Sequence, residues 1–177
     1  MRRLRAVLTS LGALALVAVT AHGQVTGASY VGTKLCAMCH KAKYKAIVEG
    51  YAQTAHAQAL REAKDEFIVA DFASAPFSRD QVAWVLASGR HQQAYLDRDL
   101  KVLPGLWSVD EKKWLPQEAV DGGTECIGCH VTGYDPETRK WKEAGVGCER
   151  CHGPGSKHLK STNEDERKAT VVIPSNL

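Results

Sequence analysis

Cys126-Ile127-Gly128-Cys129-His130, and, with 18 residues between Cys129 and Cys148, the run Cys148-Glu149-Arg150-Cys151-His152-Gly153-Pro154-Gly155, decide how this chain reads. A third copy of the pattern, Cys36-Ala37-Met38-Cys39-His40, stands nearer the beginning, and the three copies use all six cysteines. This spacing suits covalent attachment of haem: two thiols add to the vinyl groups on one porphyrin edge, and the adjacent histidine swings under the ring to bind iron. The expected cofactor is therefore haem c in three covalently attached copies. The anchors are Cys36 with Cys39, Cys126 with Cys129 and Cys148 with Cys151, and His40, His130 and His152 are the first axial ligands.

Other chemistries use parts of the same pattern. The spacing of Cys126, Cys129, Cys148 and Cys151 matches a four-cysteine zinc ribbon. A zinc ribbon leaves Cys36 and Cys39 stranded and gives no reason for a histidine after every pair. With seven histidines in 177 residues, three such coincidences have odds on the order of 1 in 10,000. Disulfides between cysteines so close in sequence are strained and also leave the histidines idle. A thioredoxin-like redox pair needs a βαβ setting, and no strand is expected before these motifs.

Each iron has a sixth position to fill. Methionine is excluded, because Met1 belongs to the leader and Met38 lies between the thioether cysteines of its own motif. Outside the motifs stand His22, His56, His91 and His158. His22 falls at the leader junction, so His56, His91 and His158 are the candidate distal ligands for three irons. Ligation without methionine implies low reduction potentials, since a thioether raises the potential of a haem.

The chain opens Met1-Arg2-Arg3-Leu4-Arg5, continues apolar from Ala6 to Val19, and reaches small residues around Ala21 and Gly23. That pattern reads as a cleaved secretory signal over residues 1–23, too short for a bilayer span, so no retained membrane anchor is expected. Residues 24–177 then form one domain, which the apolar tail beginning at Thr170 suggests is cut short at its C-terminus. Loss of three leader arginines takes Lys plus Arg from 23 to 20, equal to the 20 Asp plus Glu. No clustered basic footprint argues for nucleic acid.

Along the chain, residues 39–50 are rich in helix formers, and Thr54 is placed to cap a second helix running through His56 to about Phe67. Asp71 to Pro76 reads as a loop. Gln93–Leu96 and Leu100–Leu103 flank Asp97-Arg98-Asp99 as a hairpin, with His91 at its entrance. Trp107 and Trp114 suggest an aromatic cluster. Gly-Pro-Gly after the third motif turns the chain sharply and aims His158 away from that motif's own haem.

Four stretches, Lys34 to Lys41, Thr54 to Leu60, Cys126 to Tyr134 and Gly145 to Gly155, resemble the tetrahaem cytochrome c five-fifty-four family, which accepts electrons from hydroxylamine oxidoreductase. The resemblance leaves out the hairpin region, which looks like an insertion found in larger relatives. It implies that His56 ligates the haem of Cys148, Cys151 and His152, and that His158 ligates the haem of Cys36, Cys39 and His40. It also implies an open iron at the haem of Cys126, Cys129 and His130. This chain lacks the family's fourth motif and adds His91. The expected fold is mainly α with much irregular structure, a compact multihaem cytochrome c fold with one small inserted β-hairpin. The expected function is periplasmic electron transfer with redox partner proteins. The rival readings are an enzyme acting on a small nitrogen or sulfur compound at an open middle haem, and a fragment of a longer multihaem chain.

Overall fold

The computed structural model describes residues 27–172. The expected leader with His22, and the tail from residue 173, lie outside the described residues. Two helices come first, α1 (Thr33–His40) and α2 (Lys45–Tyr51). A five-stranded antiparallel meander follows in the order β1 (Leu60–Glu62), β2 (Trp84–Leu86), β3 (Gln92–Leu96), β4 (Leu106–Ser108) and β5 (Lys113–Leu115). Short helices α3 (Gly122–Glu125) and α4 (Ile127–His130) carry the second motif. A two-stranded pair, β6 (Val131–Thr132) with β7 (Glu143–Ala144), leads to α5 (Cys148–His152), α6 (Ser156–Lys160) and α7 (Glu164–Ala169).

This corrects the expected fold class. The chain is not mainly α with a single hairpin, because the region between the first and second motifs is a five-stranded sheet. The turn at Asp97 is present: the Asp97 carboxylate accepts the N–H groups of Asp99 at 2.9 Å and Lys101 at 2.8 Å. Yet β3 also pairs with β2, through Val85 opposite Tyr95 and Leu86 opposite Ala94. The helix expected through His56 to Phe67 is instead a run of turns to Gln58, then β1, then a 3-10 turn at Asp65–Phe67. Strands do precede the second and third motifs, but they pair antiparallel and form no βαβ unit.

Side chains alternate across the pleat, so the sheet has two faces, and both are covered. Leu60, Leu86, Ala94 and Leu96 meet Ile127 and Val131 of the second motif on one face. Val85, Tyr95 and Trp107 meet Val82 and Leu103 on the other, flanked by Phe72, Phe77 and Trp114. The rings of Phe72, Phe77 and Trp114 pack edge to face, with centroids 5.2–5.7 Å apart, which is a favoured aromatic geometry. Gly122 lets α3 lie on the sheet: a Cβ there would stand 2.5 Å from Leu96 Cδ2 and 2.6 Å from the Leu100 carbonyl oxygen.

The polypeptide core thus lies in the sheet and the second motif. Helices α1, α2, α6 and α7 have no fully buried residue. Among the described residues, no helix is long and apolar enough to cross a membrane.

Leu96 is fully buried between β2 and the second motif. Leu96→Ala is expected to destabilise the mature protein by about 2–5 kcal/mol, read as a lower denaturation midpoint at unchanged slope.

Candidate functional site

The first and third motifs lie against each other, with α1 packed on α5. Each helix puts its two cysteines one turn apart on one face, which is the spacing of the two vinyl groups of one porphyrin edge. Thr33 and two glutamates join the helices. The Thr33 hydroxyl oxygen accepts from Cys148 N–H at 3.0 Å, and Thr33 N–H donates to Glu143 Oε2 at 3.0 Å. Glu149, between the cysteines of the third motif, is 3% exposed. Its carboxylate accepts from Val31 N–H at 2.8 and 3.0 Å, Gly32 N–H at 2.6 Å and Gly155 N–H at 2.7 Å. The neighbouring Cys148 thiol and then burial push the Cys36 thiol up, whereas Cys36, helped by the Thr33 hydroxyl, pulls Cys148 down.

His158, on α6, stands across from His40. Their ring centroids are 6.0 Å apart and their planes differ by 22°. Two imidazoles on opposite sides of one iron, with metal–nitrogen bonds of about 2 Å and ring centres about 1.1 Å behind each nitrogen, have centroids about 6 Å apart. Three histidines also have Nδ1 at a carbonyl: His158 at Arg167 O (3.1 Å), His152 at Val172 O (2.9 Å) and His130 at Ala59 O (3.2 Å). A carbonyl only accepts, so Nδ1 donates at each, the arrangement in which the neutral ring offers Nε2 to a metal.

His56 lies in the turns after α2, and its carbonyl accepts from Val146 N–H at 2.9 Å. Tyr51 Oη donates to the Val146 carbonyl at 2.8 Å. The His56 segment is therefore docked on the chain two residues before Cys148. Gly145 permits this: its φ is +84°, and a Cβ would meet the Ala57 carbonyl oxygen at 2.5 Å.

The second motif is anchored differently, through Ile127 and Val131, both fully buried. Thr132, just beyond it, donates to the Gly145 carbonyl at 3.1 Å and accepts from Gly147 N–H at 2.7 Å, which ties this motif to the third. Asp121 caps α3 by accepting from Gly123 N–H at 3.0 Å, and Arg139 grips its carboxylate at 2.7 and 2.9 Å. A cavity of about 470 Å³ nearby is lined by Trp84, Arg98, Asp99, Leu100, Arg139 and Trp141. His91 stands at the start of β3, with Nδ1 3.3 Å from Asp110 Oδ2, and its carbonyl accepts from Val109 N–H at 2.8 Å. Those contacts belong to the β3–β4 end of the sheet, and none of them joins His91 to Cys126, Cys129 or His130.

Among the described residues, no group of three or more His, Cys, Asp or Glu side chains gathers as a metal-ion site. The four ribbon-spaced cysteines are thus not brought together, and all six cysteines are free thiols. The residues around the first motif suit a flat apolar group instead. Leu35, Met38, Tyr44 and Ile47 of the α1–α2 segment and Leu159 beside His158 are 40–71% exposed, and a porphyrin face would cover side chains of this kind.

The family model described as cytochrome c554 and c-prime matches residues 89–153. The cytochrome c-554 of Nitrosomonas europaea is 28% identical over 134 residues, or 72% of this chain. The chain is similar to c554-type multihaem cytochromes. Its cofactor class is haem c. The matched stretch includes β3 to β5 as well as the second and third motifs, so the family likeness reaches into the sheet. Two solved structures share the fold. The outer cell wall cytochrome OcwA superposes with a TM-score of 0.69 at 22% identity, over 83% of this chain. The undecaheme cytochrome from the S-layer of Carboxydothermus ferrireducens superposes with a TM-score of 0.60 at 22% identity, over 82% of it. The cytochrome spans 40%, 35% and 23% of the lengths of the Nitrosomonas, OcwA and Carboxydothermus proteins.

Sequence reasoning passed over Thr33, Glu143 and Glu149. The one available signal was a glutamate inside a motif followed by Gly-Pro-Gly, the turn that returns Gly155 N–H to its carboxylate.

Hydrogen bonds from Arg139 hold the exposed Asp121 carboxylate down at about 2, against an ordinary value of 3.8. A folded-state value below the unfolded one gives stability that is present above about pH 4 and lost as pH falls towards 2. Arg139→Gln is expected to flatten that part of the acid-unfolding curve relative to the parent, as followed by circular dichroism.

Proposed function

We propose that this cytochrome is an extracytoplasmic electron relay carrying three haems, with His40, His130 and His152 as proximal ligands and His56 and His158 as distal ligands. The observation that carries the reading is the 6.0 Å separation of the His40 and His158 rings, two residues distant in sequence that stand as one iron would require. Docking of the His56 segment against Val146 supports His56 as distal ligand to the third motif's haem. When bound, haem c supplies a one-electron ferric–ferrous couple. The chain's part is to hold that couple in fixed surroundings. Carbonyls at Nδ1 orient His130, His152 and His158, and the lack of any methionine ligand keeps potentials low. With α1 packed on α5, the haems that Cys36 and Cys148 would hold would lie side by side, a route for transfer between them.

Residues 24–177 are proposed as the mature haem domain following a signal peptide at 1–23, with export to the periplasm. The S-layer and outer cell wall cytochromes that share the fold support a place outside the cytoplasm. Redox partner proteins are the proposed reactants.

The middle iron has two readings. His91 is the proposed sixth ligand, since Asp110 at Nδ1 leaves Nε2 for metal. The second reading is an open iron that binds a small nitrogen or sulfur compound, favoured by the 81% exposure of the His91 side chain and its contacts at the sheet's end. Ferric spectra with and without cyanide separate them. A ligated iron resists cyanide until His91→Ala opens it, whereas an open iron binds cyanide equally well in parent and variant.

Haem stoichiometry tests the reading as a whole. A pyridine haemochrome assay with total metal analysis is expected to give three haem irons per chain and no zinc, and fewer irons or stoichiometric zinc would overturn it. His56→Ala and His158→Ala are each expected to convert one low-spin haem to high-spin, and the double variant two. Conversion of the same single haem by both would refute the crossed ligation.

A further inference from the structure

Glu149 is, among the described residues, the one buried charged side chain, and the haem reading does not use its charge. Its carboxylate meets only the N–H groups of Val31, Gly32 and Gly155, at 2.6–3.0 Å. Among the described residues, no lysine, arginine or histidine pairs with it. The group belongs to the third motif, and its contacts at Val31 and Gly32 lie just before the first. A structural tie between those segments needs only acceptor oxygens, which a neutral amide supplies in part. A buried unpaired charge is costly, so the tie alone does not account for a carboxylate.

We propose that Glu149 is a positioning residue for the electron-transfer couple, a fixed negative charge between the first and third motifs that lowers the reduction potentials of their haems. The inference rests on the three-haem reading. Ferric haem carries one more positive charge than ferrous haem, so a nearby anion favours the oxidised form. The effect is larger in low-dielectric surroundings than in water, and buried charge and hydrogen bonding are among the levers by which a protein sets haem potential. The second motif has no contact with Glu149, so its haem serves as an internal reference.

The test is spectroelectrochemical titration of the mature protein and of Glu149→Gln and Glu149→Asp. Glutamine is expected to shift two of three midpoints upward, leave the third in place and preserve the low-spin spectrum; aspartate, which keeps the charge, is expected to stay with the parent. Unmoved midpoints in the glutamine variant, or an equal shift of all three, would overturn the proposal. If the glutamine variant does not mature, the aspartate variant decides: parent-like potentials support the proposal, and raised potentials overturn it. Failure of both to mature would assign Glu149 a purely structural role and also overturn it. Haem stoichiometry of the parent tests the three-haem reading separately.

Discussion

An iron held by two imidazoles would set the distance between them, and the proposed pair in this chain belongs to residues 118 positions apart. His40 closes the first motif and His158 follows the third, yet their centroids stand 6.0 Å apart. The polypeptide reaches that spacing through ties between backbone and carboxylate. Glu149 gathers the N–H groups of Val31, Gly32 and Gly155, and Thr33 receives the N–H of Cys148. The Gly-Pro-Gly turn serves the same end, since it returns Gly155 to Glu149 and starts α6, which carries His158.

Two kinds of interior follow. In the sheet the chain makes an ordinary apolar core, with Leu60, Leu96, Ile127 and Val131 almost fully removed from solvent. Around the first and third motifs it makes none, and α1, α2, α6 and α7 have no fully buried residue. Their apolar residues, Met38 and Ile47 above all, have surface to bury against a large flat cofactor. On the proposed haem attachment, stability of the helical part would be coupled to it, by the same logic that makes metal binding part of folding in small metalloproteins. The second motif stands apart because it is rooted in the sheet.

The motifs, and with them the haem c class, were legible because thioether formation needs a fixed spacing that chance seldom produces. The sheet was not. Its strands are three to five residues long, and both faces are covered, so the polar–apolar alternation that marks a half-exposed strand is missing at Val85-Leu86 and Ala94-Tyr95-Leu96. Leu60-Arg61-Glu62 follows an alanine-rich run with strong helix propensity, and pairing with β2 overrides that propensity. The turn at Asp97 was legible because one aspartate closes it locally, whereas its second arm, Leu100–Leu103, pairs with β3 only through an isolated bridge, Leu96 to Val102. Glu149 escaped notice because a charged residue inside a motif reads as solvated until the partners at Val31 and Gly155 are known.

The central claim is that histidines remote in sequence cross between motifs to complete the first and third irons. The most direct measurement is the position of the axial nitrogens in an experimental structure of the mature, haem-loaded protein. The account expects His158 Nε2 at about 2 Å from the iron held by His40, and His56 Nε2 at the same distance from the iron held by His152. Either iron bound by a different residue, or either histidine turned to solvent, would contradict it.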